Sequence, residues 1–159
     1  MVELSDLAQR LGHRLLDRAE RIATAESCTG GWIAKCLTDI PGSSGWFDLG
    51  FVTYSNDAKH RMLGVSNDVL EAEGAVSESA VLAMAKGAAR VAGADWAISV
   101  SGIAGPTGGS VSKPVGTVWL GAFGPGILMP RQLQLAGDRN QVRCHATRAA
   151  LLWMLDLVE

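Results

Sequence analysis

The second half of the chain contains a long segment with almost no charge. Between Trp96 and Pro130 the one charged residue among 35 is Lys113. Glycine and proline interrupt this segment repeatedly, so it holds no apolar stretch of the roughly 18 residues that a membrane-spanning helix needs. The segment therefore predicts strands that helices cover on both faces, in a soluble protein without a membrane partner.

Apolar spacing and turn residues predict the order of the elements along the chain. Pro130 is expected to place the last strand at a sheet edge, because proline cannot donate a backbone hydrogen bond. The order predicts an α/β fold with a single domain over residues 1–159, a three-layer sandwich in which helices flank a mixed sheet of about five strands. Helices are predicted over 4–19, 28–40, 56–63 and 78–92 and from Asp138 onwards, with one or two further turns at 66–73, and strands over 21–25, 46–54, 95–101, 115–123 and 127–135. Ser77 is expected to cap the helix over 78–92.

Charge and cysteine content exclude several classes of function. The chain has 14 Lys and Arg residues against 16 Asp and Glu and no basic cluster, which argues against nucleic-acid binding. Three cysteines cannot form a closed disulfide set, and their scattered positions fit no zinc site. Unpaired cysteines and an N-terminus without an apolar signal core predict a cytoplasmic protein.

A segment rich in small residues, Glu26–Gly31, lies where a predicted strand gives way to a helix. Backbone N–H groups at such a junction bind anions, and Ser27 occupies the place of a nucleophile in a strand–turn–helix arrangement. From spacing alone, a helix cap in a tight turn is the more common explanation of this serine. Both interpretations remain open at this point.

A second segment, Thr53–Lys59, also follows a predicted strand. Tyr54 and Lys59 are therefore expected near the same crevice as Ser27. A lysine acts as a base only if burial or nearby positive charge lowers its pKa, and the residue types alone favour an exposed helix lysine. The sequence has no histidine in a triad-like setting, so a hydrolase would need a serine activated by lysine.

The glycine-rich segment Ser101–Pro114 is predicted to be a loop. Ser101 and Lys113 are available there for contacts to phosphate or ribose, although a plain surface loop is the simpler explanation. Asp138 is expected to cap the last helix, which makes Arg139 a candidate for binding an anion.

At these residues the sequence resembles the C-terminal domain family of the competence/damage-inducible protein CinA, especially its stand-alone nicotinamide-nucleotide amidases of the PncC type. The similar stretches occur in the expected order over nearly the whole chain. They are TAESCTGG (24–31), GSSGWFDLGFVTYSN (42–56) with Lys59, GAVSES (74–79), SVSGIAGPTGG (99–109), KPVGTVW (113–119) and GDR (137–139).

The resemblance implies a CinA C-terminal-like fold and hydrolysis of the carboxamide of nicotinamide mononucleotide, which gives nicotinate mononucleotide and ammonia in pyridine nucleotide salvage. It implies a serine–lysine mechanism without metal or cofactor. Ser27 corresponds to the nucleophile and Lys59 to the general base, with Tyr54 beside them. The implied substrate-binding positions are Thr29, Gly30, Gly31, Asn56, Ser101, Gly102, Lys113 and Arg139.

Two other functions fit the same sequence. One is a non-catalytic module that binds a nucleotide or a protein and is linked to competence or DNA damage. The other is an amidase for a different small amide. The resemblance also makes a homo-oligomer, a dimer or larger, a reasonable expectation, while the sequence leaves the substrate range and the residues that hold the phosphate open.

Overall fold

The computed structural model describes residues 2–159 and places a five-stranded sheet between two layers of helices. The helices are α1 (Val2–Asp17), α2 (Trp32–Thr38), α3 (Asn56–Leu63), α4 (Asn67–Ala72), α5 (Glu78–Ala92) and α6 (Arg139–Leu157), with a 3-10 turn at Ser43–Gly45. The strands are β1 (Ile22–Glu26), β2 (Phe47–Val52), β3 (Trp96–Gly102), β4 (Thr117–Gly124) and β5 (Ile127–Gln134).

The sheet is mixed, with the strand order β2-β1-β3-β4-β5. β1 runs parallel to both of its neighbours, β2 and β3, whereas β4 and β5 form an antiparallel hairpin. Pro130 lies in the edge strand β5, opposite Gly121 of β4. The predicted α/β class, the mixed sheet and the edge position of Pro130 are confirmed.

Two hydrophobic cores lie on opposite faces of the sheet. One is formed with α1, α2 and α6, and the other with α3, α4 and α5. The side chains of β3 alternate between them, since Trp96, Ile98 and Val100 belong to the first core and Ala97 to the second. The prediction of strands covered on both faces is confirmed for β3 and β4. Among residues 2–159, no helix combines the length and the apolar character needed to cross a bilayer.

The start of α2 differs from the prediction. The helix begins at Trp32 and not near residue 28, because Gly30 and Gly31 adopt φ angles of +62° and +96°, which are left-handed and not helical. Residues 66–73, predicted as a turn or two, contain the short helix α4, capped by the Ser66 hydroxyl. The predicted caps Ser77 and Asp138 are confirmed.

Glu26 takes over the capping of α2, whose N-cap residue Gly31 has no side chain to do so. The carboxylate is fully buried at the end of β1. Its Oε1 accepts hydrogen bonds from the Thr29 hydroxyl at 2.6 Å and the Ile33 N–H at 2.9 Å, and its Oε2 accepts one from the Ala34 N–H at 2.9 Å. A buried carboxylate is tolerated here because backbone donors at a helix start satisfy it.

We predict that Glu26→Gln lowers the free energy of unfolding by about 2 kcal/mol. The glutamine amide nitrogen cannot accept a hydrogen bond, so one of the buried N–H groups at the start of α2 loses its partner. Denaturant unfolding measures the change, and Glu71→Gln, at an exposed position of α4, is the matched control. Equal stability of the two variants would contradict the capping role.

Candidate active site

The site lies at the carboxyl ends of β1 and β2, which are parallel neighbours with Glu26 opposite Val52. Ser27 directly follows β1, and Lys59 lies in the first turn of α3, which follows β2 after a short connection. Ligand sites in sheets of this kind form at the carboxyl ends of parallel strands. The Lys59 Nζ and the Ser27 Oγ are 3.0 Å apart, within hydrogen-bonding distance.

Lys59 is buried and not an exposed helix lysine, so the simpler interpretation of the sequence was wrong. Its side chain is 1% exposed, and Leu63, one helical turn later on the same face, is buried as well. The amine also donates to the Thr53 carbonyl at 2.8 Å and to the Tyr54 carbonyl at 3.3 Å. All three hydrogen-bond acceptors of Lys59 are therefore uncharged oxygen atoms.

Burial lowers the pKa of Lys59 from 10.5 to about 8. The cause is desolvation, because an ammonium ion loses its hydration when it leaves water, whereas a neutral amine loses much less. A measurable fraction of the amine is then neutral near physiological pH. Only this neutral form can take a proton from the Ser27 hydroxyl.

The Ser27 side chain does not cap α2, so that interpretation was also wrong. The cap residue is Gly31, and the buried Ser27 hydroxyl is instead directed at Lys59. The neighbouring Cys28 is the other nucleophile in the turn, but burial raises the pKa of its thiol to about 11. A thiol in that state stays protonated and is a weak nucleophile, so the arrangement favours Ser27.

A cavity of about 230 Å³ opens beside the serine. Tyr54, which is 60% exposed, lies at its rim, and its hydroxyl accepts a hydrogen bond from Arg139 Nη2 at 2.9 Å. Arg139 Nη1 donates to the Gly105 carbonyl at 2.8 Å, so the guanidinium is held at the rim by two contacts. The lining residues are Ser27, Cys28, Tyr54, Asn56, Lys59, Ala75, Val76, Ser101, Gly102, Ala104 and Arg139.

The structure thus brings Ser27, Tyr54 and Lys59 together, and it adds four of the predicted binding residues: Asn56, Ser101, Gly102 and Arg139. It does not bring the other four to this cavity. Thr29, Gly30 and Gly31 line a second cavity of about 350 Å³ on the opposite side of the turn. The Lys113 amine donates to the Glu73 carbonyl and lines a third cavity.

Two residues that hold the turn after Ser27 were not apparent from the sequence. Glu26 is one, and an acidic residue at the end of an otherwise apolar strand was a usable signal. Arg143 is the other, since it donates to the carbonyls of Cys28 and Thr29. Nothing in the pattern of α6 separates it from an ordinary surface arginine. The apolar wall of Ala75, Val76 and Ala104 was missed as well.

Within residues 2–159, no three side chains of His, Cys, Asp or Glu lie close enough together to hold a metal ion.

Comparisons with known proteins find relatives over nearly the whole chain. A family model described as the CinA C-terminal domain matches residues 4–158. The nicotinamide-nucleotide amidohydrolase PncC of Escherichia coli K12 is 54% identical over 156 residues, which cover 95% of this chain and 93% of that protein. The protein of the same name from Pseudomonas putida is 49% identical over 158 residues, covering 99% and 98%. The crystal structure of the competence/damage inducible protein CihA from Agrobacterium tumefaciens superposes with a TM-score of 0.96 at 42% identity, covering 99% of this chain and 96% of that one.

We predict a pH-dependent difference in stability between the wild type and Lys59→Met. The pKa of Lys59 is about 8 in the folded chain, against the ordinary value of 10.5. Between these two values the unfolded chain binds the extra proton, so the stability of the wild type rises with pH across this window, by about 3 kcal/mol in total. Below the window both states are protonated, and the cost of burying the charge is constant.

The free energy of unfolding of both proteins is measured at several pH values. Subtracting the value of Lys59→Met from that of the wild type at each pH removes the contribution of all other titrating groups. Lys86→Met, at an exposed position of α5, is the control and should track the wild type. A difference between wild type and Lys59→Met that does not change with pH would show that the amine has an ordinary pKa.

Proposed function

Because the chain belongs to the CinA C-terminal domain family, we propose that it is a nicotinamide-nucleotide amidohydrolase, an enzyme of pyridine nucleotide salvage that hydrolyses the carboxamide of nicotinamide mononucleotide to nicotinate mononucleotide and ammonia. The observation that carries the chemistry is the 3.0 Å contact between Lys59 Nζ and Ser27 Oγ in a buried site. In this proposal a single domain contains the whole catalytic apparatus.

An amide is a poor electrophile, so its hydrolysis needs an activated nucleophile. The neutral Lys59 amine takes the proton of the Ser27 hydroxyl as the oxygen attacks the carboxamide carbon. The negative charge that develops on the carboxamide oxygen needs hydrogen-bond donors, and the candidates are the N–H groups of Cys28 and Thr29, since the Gly30 N–H already donates to the Ser27 carbonyl. The lowered pKa of Lys59 supports its role as the base.

The second half of the reaction uses the same two residues. The Lys59 ammonium gives its proton to the carboxamide nitrogen, the carbon–nitrogen bond breaks, and ammonia leaves an ester on Ser27. Water then attacks this ester while Lys59 takes a proton from the water. The bond between the acyl carbon and the Ser27 Oγ breaks, Lys59 returns the proton to that oxygen, and nicotinate mononucleotide leaves. Tyr54 supports Lys59 through its carbonyl oxygen and contacts Arg139 through its hydroxyl.

The size of the cavity indicates how the substrate lies. At about 230 Å³ it is smaller than the 300–1,000 Å³ typical of sites that enclose a whole drug-sized ligand. It suits the pyridinium ring with its carboxamide next to Ser27, and the ribose phosphate extends outward. Arg139 lies at the rim and supplies the positive charge for the phosphate, while Asn56 and Ser101 supply polar contacts in between.

Two further proposals, on the oligomeric state and on the cellular location, accompany this function. We propose a homo-oligomer, because the edge strand β5 exposes the large side chains of Leu128 and Met129 at 46% and 45%; light scattering on the purified protein tests it. We also propose a cytoplasmic location, which suits the metabolite and the three free cysteines, Cys28, Cys36 and Cys144.

We predict that Ser27→Ala and Lys59→Met each lower kcat for ammonia release from nicotinamide mononucleotide by about 10²–10⁴-fold or more, because each removes one member of the proton-transfer pair. The assay measures ammonia with the purified protein. The matched controls are Ser44→Ala and Lys86→Met, which change the same residue types at exposed positions away from the cavity.

The same assay separates the alternatives. Nicotinamide and its riboside are compared with the mononucleotide, and a preference for the mononucleotide that Arg139→Ala abolishes supports the proposed orientation. Full activity of Ser27→Ala would overturn the mechanism. Nucleotide binding without ammonia release would favour a binding module. Ammonia release from another amide, with none from nicotinamide mononucleotide, would mean that the enzyme has a different substrate.

We predict that kcat/KM rises with pH, about tenfold per pH unit, until it levels off near pH 8. The reason is that only the neutral amine accepts the serine proton, and its fraction grows as the pH approaches the pKa of Lys59. Initial rates at low substrate concentration across the pH range give the profile. A profile that falls with rising pH in this range would argue against Lys59 as the base.

A further inference from the structure

Two arginines of α6 lie on opposite sides of the turn that follows Ser27. Arg139 lines the serine cavity, whereas Arg143, one helical turn later, lines the cavity of about 350 Å³ behind the turn. The turn, residues 27–30, contributes to both cavities, since Ser27 and Cys28 line the first and Thr29 and Gly30 line the second. The contacts that hold this turn also decide where the Thr29 N–H points.

Arg143 holds this turn through hydrogen bonds to two of the turn's carbonyl oxygens. Its Nε donates to the Cys28 carbonyl at 2.9 Å and its Nη2 to the Thr29 carbonyl at 3.1 Å. The guanidinium carbon also lies 5.6 Å from the centre of the Trp32 ring, in a cation–π contact. A Cβ atom on Gly30 would lie 3.2 Å from Arg143 Nη2, so the turn fits closely around the guanidinium.

The direction of the carbonyls fixes the direction of the N–H groups. The peptide between Cys28 and Thr29 is trans, so its C=O and N–H point in opposite directions. Because the Cys28 carbonyl points to Arg143, the Thr29 N–H points away from Arg143. A developing oxyanion is stabilised by donors of this kind only if they are already aimed before the reaction.

From these contacts we propose that Arg143 is a positioning residue for amide hydrolysis, which holds the turn so that the Thr29 N–H faces the substrate carbonyl attacked by Ser27. The inference rests on the proposed role of Ser27 as the nucleophile. Arg143 does not touch the substrate in this arrangement. Glu26 fixes the far end of the same turn through the Thr29 hydroxyl, so the segment is held from the sheet and from α6.

The test compares Arg143→Ala and Arg143→Lys with Arg148→Ala, which removes an exposed arginine from the same helix. We expect Arg143→Ala to lower kcat by about 10²-fold, the loss typical of a small misplacement of catalytic groups, with KM nearly unchanged. The pH at which kcat/KM levels off should stay that of the wild type, since Lys59 keeps its surroundings. Arg143→Lys should recover little of the activity, because an ammonium cannot bind two carbonyls in a fixed fork.

Chemical rescue distinguishes positioning from a loss of folding. The cavity behind the turn lets a free guanidinium ion take the place of the missing side chain, so guanidinium chloride far below denaturing concentrations should restore part of kcat in Arg143→Ala. The same salt should leave the wild type and Arg148→Ala unchanged. Unchanged kcat in Arg143→Ala, a loss confined to KM, or a loss that follows the fraction of unfolded protein and is not rescued would each overturn the inference.

A second readout does not depend on the substrate. A small arylsulfonyl fluoride modifies activated serines through a transition state that carries charge on oxygen, and mass spectrometry measures its rate at Ser27. Slower modification in Arg143→Ala than in Arg148→Ala supports positioning, even if nicotinamide mononucleotide is not the substrate. Equal rates, or no modification of Ser27 in the wild type, overturn it. If the wild type releases no ammonia but Ser27 is still modified more slowly in Arg143→Ala than in Arg148→Ala, only the proposed function is overturned.

Discussion

The amine of Lys59 is buried among uncharged oxygen atoms, and most of the site depends on this placement. Lowering the pKa of a lysine from 10.5 to about 8 corresponds to about 3 kcal/mol of destabilisation of the charged form. The packing of α3 against α5 and the pairing of β1 with β2 must offset that cost. Because of this burial, the Lys59 amine beside the Ser27 hydroxyl is already partly neutral. The same burial that opposes the charge also keeps the amine in one position.

The turn after Ser27 is held by contacts of a different kind. Glu26 binds the N–H groups at the start of α2, and Arg143 binds the carbonyls of the turn. The acidic group therefore satisfies donors and the basic group satisfies acceptors along one short stretch of backbone. The two left-handed glycines, Gly30 and Gly31, let the chain change direction between these anchors. Ser27 is thus followed by a turn whose backbone is hydrogen-bonded by two charged side chains.

Much of the fold followed from the sequence, because apolar spacing and caps act locally. The α/β class, the edge strand with Pro130 and the caps Ser77 and Asp138 are of this kind. The crevice that joins Ser27 to Lys59 also followed, since both residues lie in segments that come after predicted strands. The expectation that Lys59 is exposed failed because its burial depends on long-range contacts. The burial of Lys59 requires the surroundings supplied by Ser27 and the carbonyls before α3, and no local pattern encodes them.

The predicted binding residues that do not line the serine cavity have a similar explanation. Thr29, Gly30 and Gly31 lie close to Ser27 in sequence, but they line the second cavity together with Arg143, and the left-handed backbone of Gly30 and Gly31 is not encoded by apolar spacing. Lys113 lies in a glycine-rich loop whose path a sequence cannot specify, and its amine binds the Glu73 carbonyl. Arg143 could not be recognised because its partners are backbone atoms more than a hundred residues away in sequence, which leave no trace in the pattern of α6.

The parallel pairing of β1 and β2 has a consequence for how the protein folds. Ser27 and Lys59 are 32 residues apart, and a parallel pair cannot be closed by a tight turn, so α2 must cross over before the two residues can meet. Contacts of this kind form late, because the entropy of closing a long loop must be overcome first. A partly folded chain can therefore contain every helix and still lack the serine–lysine contact. Recovery of activity after refolding reports the docking of these two strands, which helical content alone does not.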